Sequence, residues 1–202
     1  IIYVDHLLGR LLDGLDASPI AKNTIIVLWS DHGFHIGEKE NWEKFALWDQ
    51  TTRTPLFIHA PGVSKDGAKT RQPATLSDLY PTLCDLTDLP IPEQCTGKSL
   101  MKQIQNPVAI DSRTSLTSFA FHRDGNEPSH AVSDARYRYI RYSDGFEELY
   151  DLENDPNEFM NLANELDQAE IKSKLLKGVP KNAATNAGIP QNSPYHRGRR
   201  AK

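Results

Sequence analysis

One stretch constrains this chain more than any other: Thr24-Ile25-Ile26-Val27-Leu28-Trp29, followed without a spacer by Ser30-Asp31-His32-Gly33. The first six residues form an unbroken β-branched and apolar run, too short for a spanning helix, which reads as a strand buried on both faces. A central strand of an α/β sheet that ends in a carboxylate, an imidazole and a glycine places those groups at the carboxyl edge of the sheet, where such folds hold ligands. Asp31 and His32 are therefore the candidate functional centre.

Neighbouring side chains on a regular strand point to opposite faces, so Asp31 and His32 converge on one ion only if the backbone bends, and Gly33 is expected to supply that freedom. An Asp oxygen with a His nitrogen suits a divalent metal, and the carboxylate alone suits a hard cation such as calcium. A plainer reading stays open at this point, in which Asp31 caps the turn and His32 hydrogen-bonds to it.

Gly37, Glu38, Trp42, Lys44 and Phe45 follow in quick succession, and then a second β-type run, Pro55 to Ala60, closed by Pro61-Gly62. The series S-D-H-G, G-E, W-x-K-F and T-P-L-F-I-x-A-P-G resembles the C-terminal half of the catalytic domain of sulfatases, within the alkaline phosphatase superfamily. That resemblance implies an α/β fold, part of an α/β/α sandwich, followed by a small antiparallel α+β subdomain. Asp31 and His32 match the family's metal-ligand pair, with Ca2+ the usual ion. Lys44 matches the lysine that contacts the sulfate group, where a fixed ammonium offsets charge developing on the transferring oxygens. Phe34 and His35 stand where the family varies its pocket lining. Outside this context Lys44 is a surface lysine with a solvated head, and Phe34 and His35 are packing groups.

Upstream, Val4, Leu7, Leu8, Leu11, Leu12 and Leu15 fall at the three-and-four spacing of an amphipathic helix, which Ser18-Pro19 stops. Because Ile1 stands at the edge of that pattern with no basic leader or cleavage site, the chain is expected to be a fragment of a longer protein. Downstream, Leu76, Leu79, Tyr80 and Leu83 mark a helix begun by Ser77 or Asp78, with Pro81 in its first turn and Leu79, Leu83 and Leu86 as core. D-L-Y-P-T-L and G-K-S-L also look like sulfatase scaffold. Cys84 and Cys95, the only cysteines, leave open a disulfide or two free thiols.

From about Thr114 the pattern becomes short β runs: Ser115 to Phe121, His130 to Val132, Tyr137 to Tyr142 and Glu147 to Tyr150, with Ser143-Asp144-Gly145 as a hairpin turn. The stretch from His130 to Ala163, with E-E-L-Y-D-L-E-N-D-P-N-E-F-x-N-L-A, is similar to the C-terminal subdomain of sulfatases, particularly bacterial iduronate-2-sulfatase-like members. In that family the subdomain folds back over the active site, which makes His130 a candidate rim residue; as a lone histidine opening a strand it is also a structural group. Asp151, Glu153, Asn154 and Asp155 are not an EF-hand loop, because Pro156 stands where that loop needs glycine, and a turn followed by a helix cap is expected. The domain expectation is a catalytic part over 1–112, the antiparallel subdomain over 113–176 and a flexible tail over 177–202.

A net charge of −4 argues against general nucleic-acid binding, and no apolar run is long enough to span a membrane. The C/S-x-P-S-R motif from which sulfatases make formylglycine is absent, as are the paired aspartates that complete the metal site. The nucleophile and the rest of the metal set are thus expected upstream, in a missing N-terminal half of the same protein, and this chain alone is expected not to turn over. The resemblance implies a sulfuric ester hydrolase acting on sulfated carbohydrate or an aryl sulfate ester, in a periplasmic or secreted setting. Two alternatives remain, a phosphate or phosphonate ester hydrolase of the same superfamily and a non-catalytic remnant that binds sulfated glycans.

Overall fold

The computed structural model describes residues 1–120 and 128–182. Helix α1 (Ile2–Asp16) leads through a 3-10 turn into strand β1 (Ile26–Trp29). A two-residue ribbon follows, β2 (His35–Ile36) against β3 (Trp42–Glu43), then the single turn α2 (Asp49–Thr52) and strand β4 (Leu56–His59). Helices α3 (Leu79–Leu86) and α4 (Met101–Gln105) precede a four-stranded sheet, β5 (Ser115–Phe119), β6 (Ser129–Ser133), β7 (Tyr137–Arg141) and β8 (Glu147–Asp151). Helix α5 (Ala169–Leu176) closes the described chain. No helix among the described residues is long and apolar enough to cross a membrane.

The sheet β5-β6-β7-β8 is an antiparallel meander whose register aligns Val132, Tyr139 and Leu149 in one row and Ala131, Ile140 and Glu148 in the next. Because successive side chains alternate, those rows face opposite sides. Val132, Tyr139 and Leu149 pack with Ala163 and with Leu175 of α5. Ala131, Ile140 and Tyr150 pack on the other side against Leu47, with Trp48 and Phe119 at the margin. Both faces are therefore covered, and Val132, Tyr139, Ile140 and Leu149 are fully buried. The segment between β3 and α2, which begins at Lys44, lies along one face of this sheet.

The apolar run at Thr24–Trp29 departs from expectation. Only Ile26–Trp29 is strand; it pairs antiparallel with β4, register Ile26 to His59, and has no other partner among the described residues. With one strand neighbour among the described residues, Ile26 and Val27 are only partly covered, and Leu28, Trp29 and Phe57 stand exposed rather than buried on two faces. Helix α1 forms over the expected span, yet none of its residues is buried.

In α3 the buried residues are Pro81, Thr82 and Cys84, while Leu83 is exposed, so the Leu79/Leu83/Leu86 stripe is not the core face. Polar bonds choose the buried side. Thr82 Oγ1 accepts from the Leu100 amide (2.8 Å), and Asp78 accepts from the Lys98 amide (2.8 Å) and the Arg113 guanidinium (2.8 Å). The turn opens on a capping pair in which Asp78 accepts from the Thr75 amide at 2.9 Å. Cys84 and Cys95 are free thiols. The 151–165 stretch is turns without the expected helix cap: Asp151 takes the Arg136 guanidinium and Asp155 accepts from the Met160 amide. Phe121 and most of the expected tail, 183–202, lie outside the described residues.

Candidate active site

The turn after β1 is built by its own polar groups. Ser30 Oγ donates to the His32 carbonyl (2.9 Å), and Asp31 Oδ1 accepts from the His32 amide (3.1 Å). One Asp31 oxygen thus does the capping that the plainer reading assigned it. The other, Oδ2, lies 3.4 Å from His32 Nε2, so the two side chains do converge.

Gly33 permits this for a reason other than the expected one. Its φ is not in the left-handed region. What it allows is close approach: a Cβ there would lie 2.0 Å from the Gln50 carbonyl oxygen. The backbone instead interlocks with α2, the Gly33 amide donating to Thr51 O (2.9 Å) and the Phe34 amide to Gln50 O (3.0 Å). The turn carrying Asp31 and His32 is therefore pinned to the segment that carries Lys44.

His32 Nδ1 lies 2.8 Å from the Gly33 carbonyl, which can only accept, so Nδ1 carries the proton. The Nε2 lone pair is then exposed to the site, and the Lys44 ammonium donates to it at 2.7 Å. A lone pair and a carboxylate oxygen 3.4 Å apart repel unless a cation or proton lies between them, and here Lys44 supplies positive charge beside them. Asp31 Oδ2 and His32 Nε2 fit as two ligands of a divalent ion. They are two only: among the described residues no group of three or more His, Cys, Asp or Glu could hold a metal.

The structure sorts the remaining candidates. Phe34 is half exposed beside the turn. His35 is fully buried, edge-on to Trp48 (5.7 Å, 89°), with Glu38 Oε2 3.8 Å from Nδ1; burial holds its imidazole below the usual histidine range. His130 pairs in register with Ser118, whose hydroxyl meets Nδ1 at 2.8 Å, and shares the α5 face of the sheet with Val132, the side away from Leu47. Asp31, His32 and Lys44 therefore come together; His35 and His130 do not join them.

Sequence reasoning missed what holds Lys44 in place. Lys39, Glu40 and Glu43 all adopt left-handed φ (54°, 55° and 76°), a conformation costing non-glycine residues about 1 kcal/mol each. Lys39 Nζ anchors the segment by donating to Tyr150 Oη (3.1 Å) and to the Glu158 carbonyl, 4.5 Å above the rings of both Trp48 and Tyr150. Arg138, buried on β7, donates to the Leu47 carbonyl through Nε (2.9 Å) and Nη2, to Thr52 Oγ1 (2.6 Å) and to Ser133 Oγ (2.8 Å). Glu158 Oε2 accepts from the Asp49 amide (2.8 Å), and Oε1 lies 3.5 Å from Arg138 Nε. Burial pushes the Glu158 carboxyl up to about 7 against the pull of Arg138, and burial likewise lowers Arg138. The visible signal was Arg138 itself, an arginine in step with Ile140 on an apolar strand face.

The sulfatase family profile matches residues 1–89. A protein named sulfatase from Formosa agariphila is 43% identical over 186 residues, covering 91% of this chain and 35% of that protein. Residues 1–89 thus match the sulfatase family, and the chain as a whole is similar to proteins of that family. It spans about a third of the length of the curated relatives it matches. Among solved structures, a protein in complex with its substrate D-glucosamine-2-N,6-O-disulfate superposes with a TM-score of 0.77 at 26% identity, over 87% of this chain and 37% of that one. A phosphonate monoester hydrolase from Silicibacter pomeroyi gives 0.72 at 26% identity, over 87% and 37%. The α/β architecture of this chain is that of these neighbours.

Proposed function

We propose that this chain supplies the cation-bearing part of a sulfuric ester hydrolase site, acting on sulfated carbohydrate. The observation that carries the reading is the meeting of Lys44 Nζ with His32 Nε2 at 2.7 Å, beside the Asp31 carboxylate. Asp31 and His32 would hold one divalent ion, calcium in our reading, together with ligands from outside this chain. Such an ion supplies Lewis acidity toward the ester oxygens. The proton on His32 Nδ1, fixed by Gly33 O, keeps the Nε2 lone pair directed into the site.

The Lys44 ammonium would meet the negative charge that the sulfuryl oxygens carry in the transition state, while the electron pair of the breaking S–O bond goes to the leaving oxygen. A lone pair serves one cation, so Lys44 donates to His32 only while no ion holds Nε2. The Phe34 ring offers an apolar wall to the organic part of the ester. No nucleophile is assigned within this chain; a formylglycine in an upstream part of the same protein is the group this reading requires. The resemblance of the solved neighbour bound to a disulfated glucosamine supports the sulfated-sugar choice.

The test is sulfate release by the complete coding sequence, expressed with its maturation enzyme, with and without calcium. Calcium-dependent release from a sulfated saccharide is the expected result. The likeness to a phosphonate monoester hydrolase favours a second reading, hydrolysis of phosphonate or phosphate esters. Phosphorus release in the same panel without sulfate release would select it, and no turnover of any ester would leave the non-catalytic glycan binder.

A further inference from the structure

We propose that Arg138 and Glu158, more than 90 residues from Lys44 in sequence, are positioning residues that set where the Lys44 ammonium stands. This rests on the reading of Lys44 as the cation that meets the substrate. The segment from Lys39 to Thr52 has three features that require an external hold.

Its first part is strained, with Lys39, Glu40 and Glu43 in left-handed backbone, and such residues persist only where the surroundings over-determine them. Its middle, Lys44 and Phe45, is exposed. Its last part delivers the Leu47 carbonyl and the Asp49 amide to two buried side chains, Arg138 and Glu158, which are 4% and 1% exposed. Glu158 grips both ends. Its carbonyl takes the Lys39 ammonium before Lys44, and its carboxylate takes the Asp49 amide after it.

The Arg138 guanidinium ties Leu47 and Thr52 to Ser133 of the sheet, and Glu158 Oε1 sits 3.5 Å from it. Apolar side chains of similar volume would fill this space with less desolvation, so the pair is better suited to fixing geometry than to adding stability. Neither side chain needs to touch substrate. Glu158 acts on Lys39 and Asp49, on either side of Lys44, and Arg138 acts on Leu47 and Thr52 after it; the interlock of Gly33 and Phe34 with Gln50 and Thr51 passes the same hold to His32.

The experiment uses the complete protein and the near-isosteric Glu158→Gln, with two readouts. In hydrogen exchange, peptides covering 37–45 should exchange about tenfold faster than in the wild type, while peptides from β6 to β8 stay unchanged. In turnover, kcat for sulfate release should fall about tenfold or more with KM within about twofold, since a small misplacement of a catalytic group acts on the chemical step. On a Lys44→Ala background, Glu158→Gln should change kcat no further.

Unchanged exchange at 37–45, exchange raised equally throughout the sheet, or an undiminished kcat loss in the Lys44→Ala background would each overturn the proposal. Should Glu158→Gln fail to fold, Thr52→Val removes one hydroxyl under the Arg138 guanidinium and should shift both readouts in the same direction, about threefold. A wild-type protein without sulfate release would refute the assigned activity, and the exchange readout would still decide the positioning.

Discussion

Replacing Gly33 by alanine tests the interlock between the Asp31-His32 turn and α2 directly. The new Cβ would lie 2.0 Å from Gln50 O, 3.0 Å from Gln50 C and 3.2 Å from Thr51 Cα, all of them backbone atoms that no rotamer change can move. An ordinary carbon–oxygen contact needs about 3.3 Å, so the two segments must part by roughly 1.3 Å. The bonds from Gly33 N to Thr51 O and from Phe34 N to Gln50 O, now 2.9 and 3.0 Å, would open beyond bonding range. Two bonds at about 1 kcal/mol each and overpacking strain of about 1–3 kcal/mol predict a loss of about 3–5 kcal/mol. With a urea slope near 2 kcal/mol/M, the unfolding midpoint should fall by about 2 M. Gly9→Ala is the internal contrast: it sits in α1 with nothing within 4 Å of the new Cβ, and helix propensity alone predicts a gain of about 0.5–1 kcal/mol. A Gly33→Ala midpoint within about 0.3 M of the wild type would refute the close-approach argument, whatever Gly9→Ala does.

In the complete protein, Lys44→Ala should lower kcat for sulfate release by about 10²–10³-fold while moving the unfolding free energy by no more than about 0.5 kcal/mol, as expected of an exposed side chain; unchanged turnover removes Lys44 from the site. Leu47→Ala, at 2% exposure against Ala131, Ile140 and Tyr150, should cost about 2–4 kcal/mol in urea unfolding, and a loss under about 1 kcal/mol would contradict its place in the core. Two carboxylates should bend the pH–stability curve in opposite senses. The Arg136 guanidinium holds Asp151 down at about 2, so its contribution is present above the ordinary value of 3.8 and is lost as pH falls through about 2; Asp151→Asn should flatten that acid limb. Glu158 is raised to about 7, so its contribution is complete below 4.5 and lost as pH rises through about 7, and Glu158→Gln should remove that decline in urea titrations across the range.

Local pattern was enough for most of the elements. The apolar stripe of α1, the turn signal at Ser143-Gly145 and the alternation from Tyr137 to Tyr142 all report period and punctuation, which a short window contains. The chemistry of the turn was legible for the same reason, since Asp31, His32 and Gly33 are adjacent. Burial was not legible. Ile26–Trp29 has the composition of a doubly covered strand, but cover depends on what packs beside it, and among the described residues β4 is its one strand neighbour. The leucines of α3 lost the buried face to Thr82 and Asp78 because those two satisfy amides 18 and 20 residues away. Glu158 carried no local signal of its own; its partners at Lys39, Asp49 and Arg138 lie 119, 109 and 20 residues off, beyond any periodicity. Arg138 stood in step with Ile140 and was the one long-range contact the sequence advertised, because a guanidinium on an apolar face must find acceptors.

The pairing of His32 with Lys44 therefore depends on two parts of the chain at once. His32 hangs from the end of β1, a strand with no fully buried residue, while Lys44 belongs to a segment whose anchors, Arg138, Tyr150 and Glu158, come from the four-stranded sheet and the turn after it. The contact between them is 2.7 Å, and the backbone bonds at Gly33 and Phe34 join the two sides. A shift of the sheet carries Leu47 and Asp49 with it, and through them Lys44, whereas a shift of β1 carries Asp31 and His32. The four-stranded sheet is thus a floor for the candidate site on physical grounds: loosening it changes the distance between Lys44 and His32 before it unfolds either of them.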